Sequence, residues 1–489
     1  MFNEYFTQAD YFLITPAVLL ALFGCGILLI DFLHDAKQKF MNAVTALIGI
    51  GFTAFQLWRI QTQMEAAGLP ELSGFHNSLV VDHFAIFFGW VVLAAAAVVV
   101  LFSVRYLEIE REHHGEYYAL MLFSLLGMYF MLTGFDLITL LIGLETMAIS
   151  GYVLAGFLRG DKRSNEGAVK YFLLGAFSSG ILAFGFSLLY GMAGSTNLAD
   201  IQQALAKRPQ GDPLSNMALA TVVAGLLFKV AAVPFHQWAP DAYEGAPTSI
   251  TGFLSTAPKA ASIALLLRIF LVALDSLRAS WEPMLVAICV VTMTVGNLAA
   301  LTQNNTKRLM AYSSISHVGY ILLGLVAGNA TGLKGIAVYV LVYAFMNLGA
   351  FTVLVALRRK DIIGDEIEDL SGLFHRAPGA AIMMLIFLLS LAGIPPTAGF
   401  LGKYFIFLSL IEAKMYWLAI LAVLYVAIAL YYYFRMTVMM FMREPCDQEG
   451  LTLSPGVRIA LGLTVAATLL IGVYPEPVIQ LASGAILLK

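Results

Sequence analysis

A chain of 489 residues that is 60% hydrophobic and only 12% charged carries more apolar surface than soluble domains can bury, so the composition excludes a soluble protein. Its net charge of −3 supplies no basic face for nucleic acid. Cys25, Cys289 and Cys446 are too dispersed for structural zinc, an iron–sulfur cluster, a redox pair or haem c attachment.

Apolar runs of about 20 residues, the length that crosses a bilayer, recur from one end to the other. They predict an all-α polytopic membrane protein with fourteen spans near 11–33, 40–60, 80–104, 117–134, 136–158, 167–192, 216–240, 248–274, 283–303, 309–327, 333–357, 379–411, 416–440 and 456–482. The first run follows acidic and aromatic residues, with no basic leader and no small-residue cleavage site, which predicts a retained span. Basic residues gather in alternate loops: Lys37 and Lys39, then Arg159, Lys162 and Arg163, then Lys307 and Arg308, then Arg358, Arg359 and Lys360, and finally Arg435 and Arg443. Those loops are expected in the cytoplasm, and an even span count then puts both termini outside. The polar inserts at 193–215 and 358–377 are too short for a soluble domain. His113 and His114 lie among Glu108, Glu110, Glu112 and Glu116, which reads as a solvated loop rather than a metal site. In Gly399 to Phe405 (GFLGKYF), Tyr404 stands where a phosphate loop needs Ser or Thr, so no nucleotide site is expected.

The stretch Leu226 to Ala261 puts Lys229, His236, Asp241, Glu244 and Lys259 inside otherwise membrane-spanning sequence. Pro234 interrupts the helical pattern, which predicts a broken seventh span followed by a polar-lined eighth one. Irregular backbone at membrane depth requires protein or a watery cavity to satisfy it, and ion paths meet that condition. The twelfth span repeats the device, with Gly393-Ile394-Pro395-Pro396-Thr397 as the break and Lys403 as the lysine. The recurrence predicts two inverted five-helix repeats, 117–274 and 283–440, set between N-terminal helices in 1–116 and a last helix in 441–489.

Glu145 lies about nine residues into its span, roughly 14 Å deep at ~1.5 Å per residue. It is either part of a charge path or a protonated group bonded to a neighbouring helix. Lys229, Lys259 and Lys403 are too deep for easy snorkelling and point to function. Thr248, Ser255, Lys259 and Ser262 are spaced as one polar stripe, and Ser313, Ser316, His317 and Tyr320 form another. Each stripe reads either as a hydrated path or as helix packing. His236 and His317 are equally divided between proton exchange and satisfied core positions. Lys170 sits near a span end, where snorkelling explains it as well as function does. For Asp241 and Glu244, capping or loop solvation is expected.

Five segments carry a resemblance: GLETMAISGYVLAGF (143–157), EGAVKYFLLGAFSSGILAFGFSLLYG (166–191), FKVAAVPFHQWAPDAYEGAPTSITGFLSTAPKAAS (228–262), NNTKRLMAYSSISHVGY (304–320) and LAGIPPTAGFLGKYFIF (391–407). They resemble the subunit N type of the antiporter-like membrane subunits of proton-translocating NADH:quinone oxidoreductase, respiratory complex I. The likeness covers about 117–440, with 1–116 similar only in hydropathy and placement. The resemblance implies fourteen helices, broken seventh and twelfth helices, and a proton path on Glu145, Lys170, Lys229, His236, Lys259, His317 and Lys403. It favours the N type over the M type, which usually carries glutamate at the position of Lys403, and over the L type, which has a long lateral helix. It also implies a bacterial inner-membrane location. NADH, FMN, iron–sulfur clusters and quinone would be bound by partner subunits, with antiporter-like and small helical membrane subunits as neighbours and the peripheral NADH-oxidising arm more remote.

An ordinary lysine, with a pKa of about 10.4, stays charged at neutral pH, so a proton-passing lysine needs surroundings that alter that balance. With the two groups ~7 Å apart and an effective dielectric of ~20, Glu145 would favour the Lys229 ammonium by about 2.4 kcal/mol. Moving one charge against ~200 mV requires about 4.6 kcal/mol, which predicts several coupled steps rather than one pair change. A cation/proton antiporter would use the same residues without redox partners. A membrane scaffold would keep its lysines at headgroup depth. A quinone-reducing subunit would need a redox-cofactor ligand set.

Overall fold

The computed structural model describes residues 6–35, 38–358, 364–445 and 453–486; Lys37, Arg359, Lys360 and Cys446 lie outside that set. Short polar side chains open many helices, because they satisfy N–H groups that the first turn leaves unpaired. Thr7 and Asp10 form a capping box on α1 (Gln8–Ile30), and left-handed Gly68 ends α2 (Phe40–Ala67). One short hairpin accompanies the helices. β1 (Glu71–Gly74) and β2 (Leu79–Asp82) pair antiparallel, Glu71 opposite Asp82, across a turn in which Phe75, His76 and Asn77 take positive φ. Asp82 then accepts from the Ala85 N–H to start α3 (His83–Glu110).

Next come α4 (Gly115–Thr133), α5 (Leu137–Ala155) and α6 (Lys162–Ala193), with Asp136 and Asp161 as caps on the last two. The 193–215 insert holds α7 (Leu198–Ala206), which buries Leu198, Ile201 and Leu205 along one face. The broken seventh span consists of α8 (Pro213–Val230) and, after an irregular segment, the short α9 (Trp238–Gly245). Sequence reading expected the next span to be continuous. It is interrupted at Ser255-Thr256, between α10 (Thr248–Leu254) and α11 (Ala257–Arg268), where Pro258 can donate no backbone hydrogen bond.

The second half runs through α12 (Arg278–Leu301), α13 (Thr306–Ala327) and α14 (Ala330–Leu357). Asn305 caps α13, so Lys307 and Arg308 lie in its first turn rather than in a loop. After the small α15 (Leu373–Arg376) come α16 (Pro378–Ala392) and α17 (Ala398–Glu412), the two halves of the second break. α18 (Tyr416–Met442) and α19 (Pro455–Val473) precede α20 (Glu476–Gly484), so the last predicted span ends at Val473 and a separate short helix follows.

Thirteen helical segments among the described residues are long and apolar enough to cross a membrane, with α16 and α17 individually too short. Burial sorts them. The segment Thr248–Ala273, α13 and α14 are almost wholly enclosed, whereas α1, α6, α18 and α19 turn broad apolar faces outward. Lys259, on the first of these, and His317, on α13, therefore sit at a dense centre, where an unpaired charge is costly.

Candidate functional site

At the first break, α8 ends on Ala231 at φ +60, a left-handed conformation unusual for a residue with a side chain. The freed backbone groups find partners inside the protein. The Trp238 indole donates to the Phe228 carbonyl at 2.9 Å, and the Val233 N–H donates to Thr292 Oγ1 at 3.1 Å. This is the condition for irregular backbone at membrane depth.

Lys229, in the last turn of α8, points at α5 and α6. Its Nζ donates to Ser179 Oγ at 2.9 Å and to the Tyr152 hydroxyl at 3.5 Å, and lies 3.6 Å from Glu145 Oε1. Ser179 Oγ in turn donates to Glu145 Oε1 at 2.5 Å. The ~7 Å assumed from sequence is thus corrected: side chains of α5, α6 and α8 converge closely enough for direct contact. With a separation of 3.6 Å and an effective dielectric of ~20, the Coulomb energy is about 4.6 kcal/mol rather than about 2.4. Full separation of this one pair would therefore match the ~4.6 kcal/mol needed to move a charge against ~200 mV. Glu145 is 31% exposed along its side chain while Lys229 is 5% exposed, so the carboxylate lies at the edge of the fold and the ammonium inside it.

Lys259 stands at the start of α11, just past the Ser255-Thr256 interruption, and donates to Ser314 Oγ on α13. Its Nζ also lies 5.8 Å from the centre of the Tyr243 ring. The predicted stripe beside it does not form one continuous helix face, because the interruption falls within it. Ser262 donates to the Pro258 carbonyl and serves its own backbone, whereas Ser255 donates to the Gly252 carbonyl and accepts from Asn347 Nδ2 of α14 at 2.7 Å. On α13 the second predicted face is intact. Ser313 shares a hydrogen bond with the Tyr433 hydroxyl, Ser316 accepts from Asn297, and His317 reaches the Tyr339 hydroxyl at 2.7 Å and the Tyr433 hydroxyl at 3.2 Å.

The second break is built differently. Gly393 takes φ +84, and a Cβ there would meet Lys403 Cδ at 2.7 Å, so glycine is required on both counts. Lys403 Nζ donates to the Leu391 and Ala392 carbonyls at 3.0 and 2.9 Å, which caps the last turn of α16. Its Nζ lies 5.3 Å from the Tyr320 ring, which neighbours the His317 ring at 6.4 Å. Lys229 precedes its break and Lys403 follows its own, so the two lysines are placed on opposite sides of their interruptions.

Two predicted residues stand apart from these groups. Lys170, with its side chain 45% exposed, pairs with Glu166 at 2.7 Å and Asp241 at 2.9 Å rather than joining Glu145 and Lys229. His236 lies half-buried in the irregular segment, and its Nδ1 has no hydrogen-bond partner among the described residues. Asp241 and Glu244 are neither caps nor simply solvated. Both accept from Arg308 Nη1, at 2.7 and 2.8 Å.

Sequence reading also missed the hydroxyls that join the charged groups: Tyr152, Ser179, Ser314, Tyr339 and Tyr433. Serine on a membrane helix usually serves packing, so only the small-residue run around Ser178-Ser179 hinted at a close approach. Arg268 was missed as well, although it is buried at the end of α11, paired with Asp82 at 3.0 Å and bonded to the Leu132 carbonyl. Among the described residues, no group of three His, Cys, Asp or Glu side chains is placed to hold a metal ion.

Comparison with known proteins follows the same outline. Residues 134–430 match the family described as NADH:quinone oxidoreductase/Mrp antiporter, transmembrane. NADH-quinone oxidoreductase subunit N 2 from Solibacter usitatus is 60% identical over 488 residues, 99% of each chain. A chain of respiratory complex I from Thermus thermophilus superposes with a TM-score of 0.80 at 31% identity, covering 96% of this chain and all of that one. A chain of the membrane-bound sulfane sulfur reductase, an archaeal respiratory membrane complex, superposes with a TM-score of 0.86 at 26% identity over 98% of this chain and 97% of its own.

Proposed function

The chain belongs to the subunit N family of NADH-quinone oxidoreductases, and from that premise we propose that its proton path runs through Glu145, Lys229, Lys259, His317 and Lys403. The protein is a proton-translocating membrane subunit of NADH:quinone oxidoreductase that acts with partner subunits. The observation that carries the path is the contact of Lys229 with Ser179 and Glu145, a buried ammonium held against a partly exposed carboxylate. Charges at this depth are retained where they move ions. Opening the pair removes the carboxylate's hold on the Lys229 proton, and Lys259, His317 and Lys403 then offer successive sites with hydroxyl groups beside or between them. His236, whose Nδ1 has no hydrogen-bond partner among the described residues, serves proton uptake beside the first break. Lys170 acts on the path through Asp241 rather than by touching Lys229.

Fourteen spans follow if α16 and α17 together cross once, arranged as two inverted five-helix repeats in 117–274 and 283–440. Basic residues Arg159, Arg163, Arg308 and Arg435 then face the cytoplasm of a bacterial cell, and both termini face outward. Ile138, Ile142, Ile149 and Val153 form an exposed apolar strip on α5 beside Glu145. A carboxylate open to lipid at that depth is costly, so a neighbouring membrane subunit covers this face. NADH, FMN, iron–sulfur clusters and quinone belong to partner subunits.

The test is to compare Lys229→Arg with Lys229→Ala in vesicles carrying equal amounts of assembled complex, measuring NADH-driven acidification and quinone reduction. Arginine keeps the charge and the pairing but stays protonated at any working pH. It should assemble and pump poorly, with alanine at least as defective. Parental pumping by the arginine variant would take Lys229 out of the path.

A further inference from the structure

The path just proposed involves one short element, α9, only through Asp241. α9 lies between the irregular segment that ends α8 and the Ser255-Thr256 interruption, and its side chains bond the Phe228 carbonyl next to Lys229 and the Leu254 carbonyl that ends α10. On its first turn, the Trp238 indole donates to the carbonyl of Phe228, the residue before Lys229. The same ring stacks on Tyr171 of α6 at 4.4 Å, with planes 10° apart. Further along, the buried Tyr243 faces Lys259 at 5.8 Å, donates from its hydroxyl to the Leu254 carbonyl at 3.5 Å, and accepts from Thr251 at its own carbonyl at 2.8 Å. Leu254 ends α10 immediately before the interruption that introduces Lys259. A movement of α9 therefore shifts the ground under both ammonium groups.

A charge cluster holds that helix against its neighbours. Asp241 accepts from Lys170 of α6 at 2.9 Å and from Arg308 of α13 at 2.7 Å, and the same Arg308 nitrogen reaches Glu244 at 2.8 Å. Glu166 closes the outer end on Lys170 at 2.7 Å, and Gln303 accepts from Arg308 Nε at 3.3 Å. Backbones also meet closely beneath the cluster. A Cβ on Gly245 would lie 2.4 Å from the Arg163 carbonyl oxygen, and one on Gly167 would lie 2.8 Å from that of Asp241. Isolated exposed ion pairs contribute little, but here one arginine and one carboxylate each hold two partners across three helices.

We infer that α9 is a rigid bridge fixing the position of Lys229 relative to Lys259, and that Asp241 and Arg308 are positioning residues that clamp it between α6 and α13. This rests on the proposed path. Neither residue carries the proton; their contribution is distance, and misplacement of a reacting group by about 1 Å is enough to cost on the order of a hundredfold in rate. A single ammonium could span both carboxylates as the one Arg308 nitrogen does, whereas a neutral amide could not hold them.

The experiment uses membrane vesicles with equal amounts of assembled complex carrying Arg308→Gln, Arg308→Lys or Glu244→Gln. Deuterium uptake over residues 236–247 and protons moved per NADH oxidised are measured together. Arg308→Gln should raise uptake and lower the proton yield about tenfold. Arg308→Lys should restore both toward parental values, which a loss of general packing would not allow. Glu244→Gln, which leaves Asp241 engaged, should fall between them and serves if Arg308→Gln fails to assemble. A parental proton yield despite raised uptake in either glutamine variant would overturn the bridge. So would a lost yield with unchanged uptake, which would make Arg308 a charge on the path. Lys229→Arg in the same vesicles separates the two readings: parental pumping there would sink the path itself, whatever the clamp variants do.

Discussion

Ser179 Oγ stands between Lys229 and Glu145, accepting from the ammonium at 2.9 Å and donating to the carboxylate at 2.5 Å. The hydroxyl allows the pair to communicate without collapsing into a closer ion pair, since the direct separation is 3.6 Å. Collapse would deepen the Coulomb well and make separation harder.

Ser179→Ala should keep assembly, because the ammonium retains the Tyr152 hydroxyl and the carboxylate remains within Coulomb range. Two hydrogen bonds to charged groups are lost, one to the ammonium and one to the carboxylate, each worth about 1.5–3 kcal/mol, so proton translocation should fall by at least about tenfold. Glu145→Gln, which removes the charge itself, should be the more severe variant. Acidification per NADH oxidised, measured on both, would reject the bridging role if Ser179→Ala pumped at the parental yield.

Outside the membrane core, the loop between α3 and α4 carries a titration of its own. Burial pulls the His113 imidazole down to about 4, against the opposing pull of Asp31, and its Nε2 bonds the Tyr118 hydroxyl at 3.1 Å. In the folded chain the ring is neutral at pH 7, while an unfolded loop takes up a proton near pH 6.5. Local stability should therefore hold above about pH 6.5 and decline as the pH falls toward 4. Hydrogen exchange over residues 108–118, corrected for intrinsic rates, should show protection lost between those values, and His113→Gln should flatten the profile. Equal pH dependence in both proteins would mean that His113 does not govern the loop.

What was legible in the sequence follows the range of the interactions involved. Pro234 and the Pro395-Pro396 pair marked the breaks because proline acts on its own backbone, and Lys229, Lys259 and Lys403 were conspicuous because charge in an apolar run is costly wherever it lies. The close Glu145–Lys229 contact could not be read, since it depends on the crossing of α5, α6 and α8. Tyr339 and Tyr433 were silent for the same reason, being 22 and 116 residues from His317 in the chain. The Ser255-Thr256 interruption was marked by Pro258 alone, which also fits the first turn of an intact helix, and it was masked by the smooth hydropathy of its span. Asp241 and Glu244 looked like cap residues because their partners, Lys170 and Arg308, come from distant helices.

Lys403 combines two duties that Lys229 does not, and the difference is testable. Its ammonium donates to the Leu391 and Ala392 carbonyls, groups that the end of α16 would otherwise leave open inside the protein. No carboxylate partner is seen beside it among the described residues, so the carbonyls and the Tyr320 ring supply its electrostatic environment. Lys403→Met should strip the cap and leave two buried carbonyls short of donors, at a cost of about 1–3 kcal/mol each. Assembly of the complex should fall, and α16 should exchange its amides faster. Lys403→Arg offers donors to the same carbonyls yet holds its proton at any working pH. It should recover assembly while still pumping poorly. At Lys229, where the ammonium caps no helix, the methionine and arginine variants should instead assemble to similar levels. Native gel quantities of assembled complex, read beside NADH-driven acidification, separate the two sites. If Lys403→Arg restored pumping along with assembly, Lys403 would be a helix cap and no part of the proton path.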